Sequence, residues 1–237
     1  MGHSWLTIHR VRFKEPRCSR HSGAPSASEN AAAWRFGPHA PLDADGFRTS
    51  ESDIWGGVGF YDSKEAAQAV VSDPDAFLGW LNETEENWHA LAGVIAYRGE
   101  ADWSTPSEPS PEIEVLSSDP SGRLAVITSA GYDTPNPKDD PRLPNFLKGI
   151  EKVVSFYRSL DDNLAAGLFN AVQAKQGLTF SVWKSDRAMM DSAYKSGLHS
   201  KYMREHQSEP MFDHSSFMRL RLVDSSGSWD GSDPAAP

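Results

Sequence analysis

One histidine on a predicted helix is the first candidate for metal chemistry in this sequence. His199 follows the run from Phe180 to Met190, which predicts a buried strand that leads through a serine-capped turn into a helix. A neutral imidazole on a helix is a common axial ligand of iron, and a carbonyl or carboxylate can orient its second nitrogen. The residue types alone leave another interpretation open, because a lone helical histidine is more often a surface or hydrogen-bonded residue.

Two further histidines come next to predicted strands. His214 precedes the last predicted strand, Phe217 to Val223, where it could be a catalytic hydrogen-bond donor or an ordinary loop histidine. His89 begins a strand that the apolar run up to Tyr97 predicts, and it is a weaker alternative as a metal ligand. An ordinary role at the end of a strand explains His89 more simply.

Three arginines in the C-terminal third could hold the carboxylates of a cofactor. Arg204 lies on the predicted helix, and Arg219 and Arg221 lie in the last predicted strand. A guanidinium binds a carboxylate through two parallel hydrogen bonds, so this residue type suits such a role. Arginines on an exposed strand are equally expected.

The same part of the chain is rich in aromatic and methionine side chains that could line an apolar substrate pocket. These residues are Phe180, Trp183, Met189, Tyr194, Tyr202 and Met203. Large apolar side chains are typical of pockets for small hydrophobic molecules. They are also typical of an ordinary core, to which such residues belong in most proteins.

Composition argues against several other function classes. The 237-residue chain has a formal net charge of −10 and lacks the clustered lysine and arginine that phosphate binding needs, so we expect no nucleic-acid partner. It contains no Gly-x-Ser-x-Gly elbow, phosphate-binding loop or dinucleotide fingerprint. The acidic residues from Glu83 to His89 follow helical spacing with one histidine only, which favours a solvated face over a metal site.

Cysteine content and hydropathy point to a cytoplasmic protein. The single Cys18 cannot form an intramolecular disulfide, which suits a reducing compartment. No apolar stretch reaches the length of a transmembrane helix, and the N-terminal residues lack a signal-peptide hydrophobic region. We therefore expect no integral membrane segment, while peripheral contact with a membrane stays compatible with the sequence.

The elements that would position these residues follow a strand, helix, strand scheme, which occurs first in the N-terminal half. Alternating and continuous apolar runs predict strands, and apolar residues at helical spacing predict helices. The predicted elements are a strand Trp5 to Phe13, a mobile loop Lys14 to Ala33, a strand Ile54 to Tyr61, a helix Ser63 to Val71, a helical stretch Asp75 to Asn87 and a central strand His89 to Tyr97.

The second half is predicted to repeat this scheme. Its elements are a strand Leu124 to Gly131, a helix Phe146 to Leu160, a short helix Leu164 to Val172, a strand Leu178 to Trp183, a helix Asp186 to Lys195 that resumes after Gly197 as far as His206, and a strand Phe217 to Val223. Gly197 leaves two alternatives. A continuous helix would align His199 with Ala188 and Met203 on one face, and a break at Gly197 would not.

An internal duplication connects the two halves. Tyr61-Asp62-Ser63 precedes the first-half helix as Trp183-Lys184-Ser185 precedes the second-half helix, about half the chain later. The pattern predicts an α+β fold of two fused ferredoxin-like repeats that form a dimeric-type α+β barrel. We assign residues 1–105 to the first half, 106–122 to a linker, 123–224 to the second half with the candidate metal site, and 225–237 to a C-terminal tail.

Several motifs resemble the spheroidene monooxygenase family of carotenoid-modifying oxygenases. The likeness is strongest in Leu178-Thr179-Phe180-Ser181-Val182-Trp183, in Ala188-Met189, in Gly197-Leu198-His199, and in the strand Phe217 to Val223. Gly99 to Ser104 is similar to the family's Gly-x-Trp-Ser element, and Gly227 to Pro234 is similar to its Gly-x-Trp-x-Gly-x-Asp-Pro ending. The resemblance touches both halves of the chain.

The resemblance implies a fused barrel, a haem b cofactor and oxygen-dependent oxidation of a hydrophobic small molecule. It assigns the iron to His199 and leaves Arg204 and Arg219 to pair with the haem propionates. Phe180, Trp183, Tyr194 and Met203 would line the substrate pocket. This chain departs from the family at Met211 to His214, where the family has Trp-Phe-x-Glu, so His214 replaces a carboxylate and becomes the catalytic candidate.

The leading interpretation is therefore a haem-dependent monooxygenase-like oxidoreductase that acts on a carotenoid or another secondary metabolite, with dioxygen and an electron donor as partners. One alternative is a haem-dependent dehydratase or rearrangement enzyme of the aldoxime dehydratase type. Another is a non-catalytic barrel that binds an apolar ligand. A homodimer is compatible with each of these interpretations.

Overall fold

The computed structural model describes residues 2–18, 31, 33–105, 109–171, 176–195 and 197–236. Side chains are described for all of these except residues 171, 194, 195, 197–200, 203 and 207. The strands are β1 (Trp5–Cys18), β2 (Ala33–Pro38), β3 (Glu51–Tyr61), β4 (Thr84–Gly99), β5 (Arg123–Gly131), β6 (Asn163–Ala171), β7 (Gln176–Trp183) and β8 (His214–Gly227).

These strands form one antiparallel sheet in the spatial order β2-β3-β1-β4-β8-β5-β7-β6. The order is the same in both halves, since β2-β3-β1-β4 corresponds to β6-β7-β5-β8, and the two halves join where β4 pairs with β8. The outermost strands, β2 and β6, lie against each other, so the sheet curls into a barrel. The predicted fold class, two ferredoxin-like repeats in an α+β barrel, is confirmed.

Helices follow the equivalent strands β3 and β7, and the second half has one more helix after β5. In the first half α1 (Lys64–Ser72) and α2 (Pro74–Leu78) come after β3, and in the second half α3 (Leu143–Arg158) comes after β5. After β7 the chain forms α4 (Asp186–Met190), a π-helical turn (Asp191–Lys195) and α5 (Gly197–Ser208). A π-helical turn thus lies between α4 and α5, and Gly197 is the first residue of α5. Residue 196 and the side chains of His199 and Met203 lie outside the described part, so both alternatives for this face stay predictions.

The duplicated sequence marks equivalent places in the fold. The Ser63 hydroxyl accepts a hydrogen bond from Ala66 N at 3.1 Å and caps α1, and the Ser185 hydroxyl accepts one from Ala188 N at 3.1 Å and caps α4. A serine at this position satisfies a backbone N–H that the first helical turn leaves unpaired. Both predicted helix starts are therefore correct.

The two faces of the sheet carry different cores, because successive side chains of a strand point to opposite faces. The face turned to the barrel axis is filled by apolar side chains of both halves, with Phe60, Trp88, Ile127, Phe180 and Leu220 among them. The outer face of each half is covered by that half's helices. Any ligand between sheet and helices would therefore meet the outer face.

Some predicted elements differ from the structure. Residues from Leu164 onward form strand β6 and not the predicted short helix. The alanines of this segment favour a helix locally, but Ala166 and Leu168 pack under Val154 of α3, and the ladder with β7 supplies the backbone hydrogen bonds. The predicted mobile loop Lys14 to Ala33 contains the end of β1 and the start of β2, and its residues 19–30 and 32 lie outside the described part.

Parts of the linker between the halves and of the C-terminal tail pack on the barrel. In the linker, Leu116 N donates a hydrogen bond to Val94 O at 2.8 Å, and Ile113 forms a bridge with His3. The last strand runs to Gly227, and Trp229 in the predicted tail is buried. The assigned domain boundaries stay a prediction.

Candidate functional site

The outer face of the second half is covered unevenly by its helices. Val154 of α3 packs over β6, and Met189 of α4 packs on Leu124 and Val126 of β5 together with Trp183. The principal neighbours of α5 are α3 and the π-helical turn before it. Consequently α4 covers the start of β5, and α5 is supported by other helices.

The contact between α5 and α3 depends on a glycine. A Cβ placed at Gly149 of α3 would lie 3.3 Å from the ring of Tyr202 in α5, so the glycine lets this ring approach the helix backbone. A π-helical turn inserts an extra residue and redirects the following helix, and such turns occur frequently at functional sites. These two features direct α5 along α3.

Part of the outer face of β5, beyond the residues that α4 covers, is left open. Thr128 lies in β5, which is flanked by β8 and β7, and it shares the outer face with Leu124 and Val126. Its side chain is nevertheless exposed. A residue in the middle of a sheet, on the face that carries the helices, is exposed only where the helices leave it uncovered. We call this region the α5 cleft.

The floor of the α5 cleft is formed by three cross-strand neighbours. Thr128 pairs with Thr179 of β7 and with Phe217 of β8, and both neighbours are partly exposed. Two hydroxyls and one phenyl ring therefore lie on this open part of the outer face. This combination suits an apolar ligand that carries at least one hydrogen-bonding group.

The equivalent position of the first half is closed. Trp5 pairs with Tyr61, the last residue of β3, as Leu124 pairs with Trp183, the last residue of β7. Four residues further along, His9 of β1 corresponds to Thr128 of β5. His9 is fully buried, and its cross-strand neighbours are Gly57 and His89.

A chain of buried polar groups fills this closed face. The Nδ1 atoms of His9 and His89 are 2.7 Å apart, so one ring donates a hydrogen bond to the other. His9 Nε2 lies 2.6 Å from Thr7 Oγ1, and the Thr7 hydroxyl donates a hydrogen bond to Tyr61 Oη at 3.4 Å. Burial, together with the neighbouring imidazole, holds the pKa of His9 well below its ordinary value, and burial lowers the pKa of His89 to about 3.

Aromatic side chains surround the histidine pair. The Trp34 ring lies with its centroid 4.9 Å from that of His9 and stacks on Phe36 at 5.4 Å. Around them is an apolar cluster made of Val11, Phe13, Trp34, Phe36, Trp55, Leu78 and Trp80. The first half thus has a packed core where the second half has the α5 cleft.

The predicted metal and cofactor residues lie near the cleft only in part. The backbone of His199 belongs to α5, whereas the side chains of Tyr194, His199 and Met203 lie outside the described residues. Arg204 of α5 is exposed. Arg219 lies on the outer face two residues from Phe217, and its guanidinium forms an ion pair with Asp186.

The predicted pocket residues on β7 are separated by the sheet. Phe180 faces the barrel axis, where its ring stacks with Trp229 at 5.8 Å, and Trp183 faces the helices, where Tyr157 meets it edge-on at 5.1 Å. Two residues of one strand that are an odd number of positions apart, as Phe180 and Trp183 are, point to opposite faces of the sheet. Phe180 and Trp183 therefore do not line one pocket.

His214 lies at the start of β8, on the face turned to the barrel axis. Its Nε2 lies 2.7 Å from Gln176 Nε2, and its Nδ1 lies 3.4 Å from a carboxylate oxygen of Asp133. The structure does not bring His214 together with Thr128, which points to the other face. Its role as a catalytic hydrogen-bond donor stays a prediction.

Sequence reasoning missed both Thr128 and His9. One signal was present for Thr128, because it is a polar residue on the period-two face that otherwise carries Leu124 and Val126. For His9 the alternation of β1 predicted a polar outward residue, and only the helices and aromatic side chains packed over it show that it is buried.

In the described residues no group of three or more histidine, cysteine, aspartate or glutamate side chains could hold a metal ion. No described helix has the length and apolar character needed to cross a membrane.

Comparison with known proteins finds similarity in structure but not in sequence. No protein-family model matches the chain, and no curated protein matches it significantly. An aldoxime dehydratase in complex with butyraldoxime aligns with a TM-score of 0.56 at 11% identity, over 94% of this chain and 80% of that chain. A second aldoxime dehydratase structure aligns with a TM-score of 0.55 at 12% identity, over 93% of this chain and 82% of that chain.

A ferredoxin-fold protein from Listeria monocytogenes, related to antibiotic biosynthesis monooxygenases, aligns with a TM-score of 0.34 at 11% identity, over 94% of this chain and 96% of that chain. Identities this low show the fold and leave the reaction open. The likeness to the two dehydratases agrees with the topology described above. This chain has the fold of an α+β barrel built from ferredoxin-like units.

Proposed function

We propose that this protein is a haem-dependent oxidoreductase of the spheroidene monooxygenase type, which oxidises a hydrophobic small molecule in the α5 cleft. The observation that carries the proposal is the exposed Thr128 in the middle of the sheet, under a helix that the sequence provides with His199. The equivalent position of the first half is filled by His9. Among the described residues the outer face of the second half is the one left uncovered at this position, and we place the cofactor and the ligand there.

The described residues of the α5 cleft fit a haem group. Its floor carries Thr128, Thr179 and Phe217 and no charged side chain, which suits the apolar faces of a macrocycle. Arg219 follows Phe217 on the same face and is a partner of the kind that a propionate needs. In the structure Arg219 pairs with the carboxylate of Asp186. A haem propionate would take the place of this carboxylate.

Each residue has a distinct role in this proposal. His199 would hold the iron from α5, and Arg219 with Arg204 would pair with the propionates. When bound, haem would supply the iron centre at which dioxygen is activated, with electrons from an external donor. The Thr128 and Thr179 hydroxyls would donate hydrogen bonds to the substrate and orient the carbon that is oxidised, and Phe217 would contact its apolar part.

A redox-neutral dehydration is the second candidate. Two solved structures that share the fold with TM-scores above 0.5 are aldoxime dehydratases. Such a reaction would use the same cleft and the same His199. It would need no dioxygen and no electron donor.

Haem uptake by the purified protein tests the proposal. Wild-type protein mixed with haem should develop a Soret band with a one-to-one end point, and His199→Ala should lose it. Thr128→Trp should lose it as well, because an indole on the cleft floor occupies the space. Thermal unfolding of the apo Thr128→Trp protein should change little, since Thr128 is exposed.

The control for these variants is His206→Ala. His206 lies on the same helix, stacks on Phe212 with a centroid distance of 3.9 Å and accepts a hydrogen bond from Met211 N. We expect this variant to keep the Soret band. Wild-type protein that takes up no haem would overturn the proposal, and so would a Soret band that survives both His199→Ala and Thr128→Trp.

Isotopic dioxygen separates the two candidate reactions. With a substrate that is turned over, label from dioxygen in the product supports oxidation. Turnover of an aldoxime to a nitrile under strictly anaerobic conditions supports the dehydratase alternative. The two results exclude each other for a given substrate.

A further inference from the structure

The long helix of the second half presents only positive charges to solvent. Of the four charged residues of α3, three are cations and one, Glu151, is an anion. Glu151 is partly buried, and its carboxylate is bound by Arg48 of the first half. The charged side chains that α3 leaves exposed, Lys148, Lys152 and Arg158, are therefore all positive, in a chain whose net charge is −10.

Two of these lysines form a stripe with an aromatic ring. Lys148, Lys152 and Phe156 are spaced by four residues, so they share one face of α3. Phe156 is partly exposed, and its ring lies 6.1 Å from that of Tyr157 between centroids. Neither lysine forms an ion pair with another described residue. Like charges at this spacing destabilise a helix slightly, so the stability of α3 does not explain the stripe.

The stripe adjoins α5 where the two helices meet. Gly149, the neighbour of Lys148 in sequence, receives the ring of Tyr202, and Lys201 precedes Tyr202 in α5. The Lys201 side chain is 62% exposed and lies 3.7 Å from a carboxylate oxygen of Glu205 on the same helix. We call the side chains of Lys148, Lys152, Phe156 and Lys201 the basic face.

The body of α5 lies between the basic face and the helix side that carries the proposed iron ligand. At about 3.6 residues per turn, position 199 falls on the same side of α5 as Tyr202 and His206. The rings of these two residues pack on α3 and on Phe212, so that side is turned to the protein. Position 201 lies about 200° from position 199, and its lysine is turned to solvent. A partner on the basic face would be separated from His199 by one helix, about 10–12 Å across.

We propose that the basic face is the docking site of an acidic electron-transfer protein, which passes electrons through α5. The inference rests on the proposed function, which needs an external electron donor. In each encounter the reduced donor would lose one electron and the ferric iron would gain it, without a bond being formed or broken.

The chemistry of the basic face favours this occupant. Three cations around one aromatic ring fit the small interfaces of transient redox complexes, which bury less than about 1,200 Å² in total. An acidic partner is attracted by these cations and is repelled by the net negative charge of the whole chain. Charge complementarity would therefore orient the partner towards α3 and α5.

Binding to the apo protein tests the docking site without haem. The probe is a flavodoxin, a small acidic FMN protein, titrated into the full chain in a calorimeter at low ionic strength, where screening is weak. We expect saturable binding by wild-type protein. The variant Lys148→Glu/Lys152→Glu reverses two exposed charges and should bind about tenfold more weakly, because both positions then repel the partner. Wild-type protein that binds no flavodoxin would contradict the docking site.

The matched control is Lys14→Glu/Lys64→Glu. Both residues are exposed lysines of the first half, so this variant has the same net charge as the first one and keeps the basic face. It should bind flavodoxin with nearly the affinity of wild-type protein. Equal weakening in the two double variants would mean that net charge alone matters, and the proposal would then be wrong.

Reduction of the haem-loaded protein separates this inference from the proposed function. Reduced flavodoxin should reduce the iron about tenfold more slowly in Lys148→Glu/Lys152→Glu than in wild-type protein. Dithionite needs no docking site and should reduce both at the same rate. Equal rates with flavodoxin would overturn the docking site and leave the proposed function intact. Wild-type protein that takes up no haem would overturn the proposed function, and this inference with it.

Vesicles test a different occupant, an anionic lipid surface, to which exposed lysines can also bind. Wild-type protein should bind flavodoxin and should not sediment with vesicles that contain phosphatidylserine. If it binds these vesicles and no flavodoxin, and Lys148→Glu/Lys152→Glu loses the vesicle binding, the basic face belongs to a membrane and the proposal fails.

Discussion

The outer faces of the two halves begin from the same strand order and end with opposite properties. In the first half His9, Gly57 and His89 occupy three adjacent cross-strand positions under a packed aromatic cluster. The equivalent positions of the second half carry Thr128, Thr179 and Phe217 under the α5 cleft. A duplicated unit can therefore keep one copy as a core and open the other, because the two halves share the core on the inner face of the sheet and have different residues on its outer face.

The difference shows what closes such a face. Two imidazoles with a 2.7 Å hydrogen bond satisfy each other inside the first half, and the absence of a side chain at Gly57 lets β2 approach. In the second half α5 packs chiefly on α3 and on the π-helical turn, and Thr128 on the outer face of the sheet is left exposed. Whether an outer face becomes a packed core or stays open therefore depends on two things, the residues of its strands and the elements on which its helices pack.

Exchanging the floor residues tests this comparison, and the largest effect should come from Gly57→Thr. A Cβ at Gly57 would overlap the backbone carbonyl oxygen of Arg35, so the substitution should cost more than about 4 kcal/mol of unfolding free energy. The reciprocal Thr179→Gly should cost only about 1 kcal/mol, through backbone entropy. Urea unfolding measures both, and equal losses would show that the two floors are interchangeable.

A smaller loss should follow His89→Phe, which transfers the residue type of Phe217 to the first half. The His9 Nδ1 atom then loses its partner in a fully buried place, at a cost of about 2 kcal/mol. In the double variant His9→Thr/His89→Phe no imidazole is left unpaired. The double variant should therefore lose less unfolding free energy than the sum of the losses in the two single variants. Strictly additive losses in a double-mutant cycle would mean that the histidine pair contributes nothing as a pair.

Stability should also depend on pH through this pair. The pKa of both histidines is lowered in the folded chain, to about 3 for His89, whereas the unfolded chain titrates them near 6.5. Between these values the unfolded state binds more protons than the folded state. The stability that comes from keeping both histidines neutral is therefore complete above about pH 6.5 and is lost as the pH falls. It should fall by up to about 1.4 kcal/mol per pH unit through His89 as the pH decreases towards 3, and the lowered pKa of His9 should add to the fall.

Urea unfolding at pH 7.5, 6 and 5 measures this dependence. The variant His9→Leu/His89→Leu lacks both groups and should show a shallower fall over the same range. The prediction fails if wild-type and variant lose stability in parallel.

The smallest effect should come from Thr128→Val. The side chain is exposed, so the free energy of unfolding should change by less than about 0.5 kcal/mol. The apo protein should lose preference for a hydroxylated ligand, which titration with 1-naphthol and naphthalene would detect as a ratio of dissociation constants closer to one. A large loss of stability would show that Thr128 belongs to the core and that the cleft does not exist.

Local sequence patterns predicted the elements that repeat. Ser63 and Ser185 begin their helices as expected, because a cap acts on the backbone of its own first turn. The central strands around His89 to Tyr97 and Leu124 to Gly131 were predicted for the same kind of reason, since a buried strand needs an apolar run of its own. The motif at the C-terminus was visible as well, although its insertion into the barrel was not.

The wrong or missing predictions share a physical cause. Leu164 to Ala171 has helix-favouring alanines and forms a strand because β7 and α3 surround it. The π-helical turn before α5 and the approach of Tyr202 to Gly149 depend on how two helices meet. Phe180 and Trp183, which looked like one pocket in the sequence, are divided by the sheet.

The sequence by itself determined the duplication, the α+β class and the presence of His199 on a helix after β7, because these follow from residue order and local propensity. The tertiary structure alone decided that His9 is buried, that Thr128 is exposed, and that Trp229 closes one end of the barrel. Burial depends on what packs over a residue, and the covering groups come from distant parts of the chain. A polar residue in an outward strand position reads the same in the sequence whether a helix covers it or leaves it open.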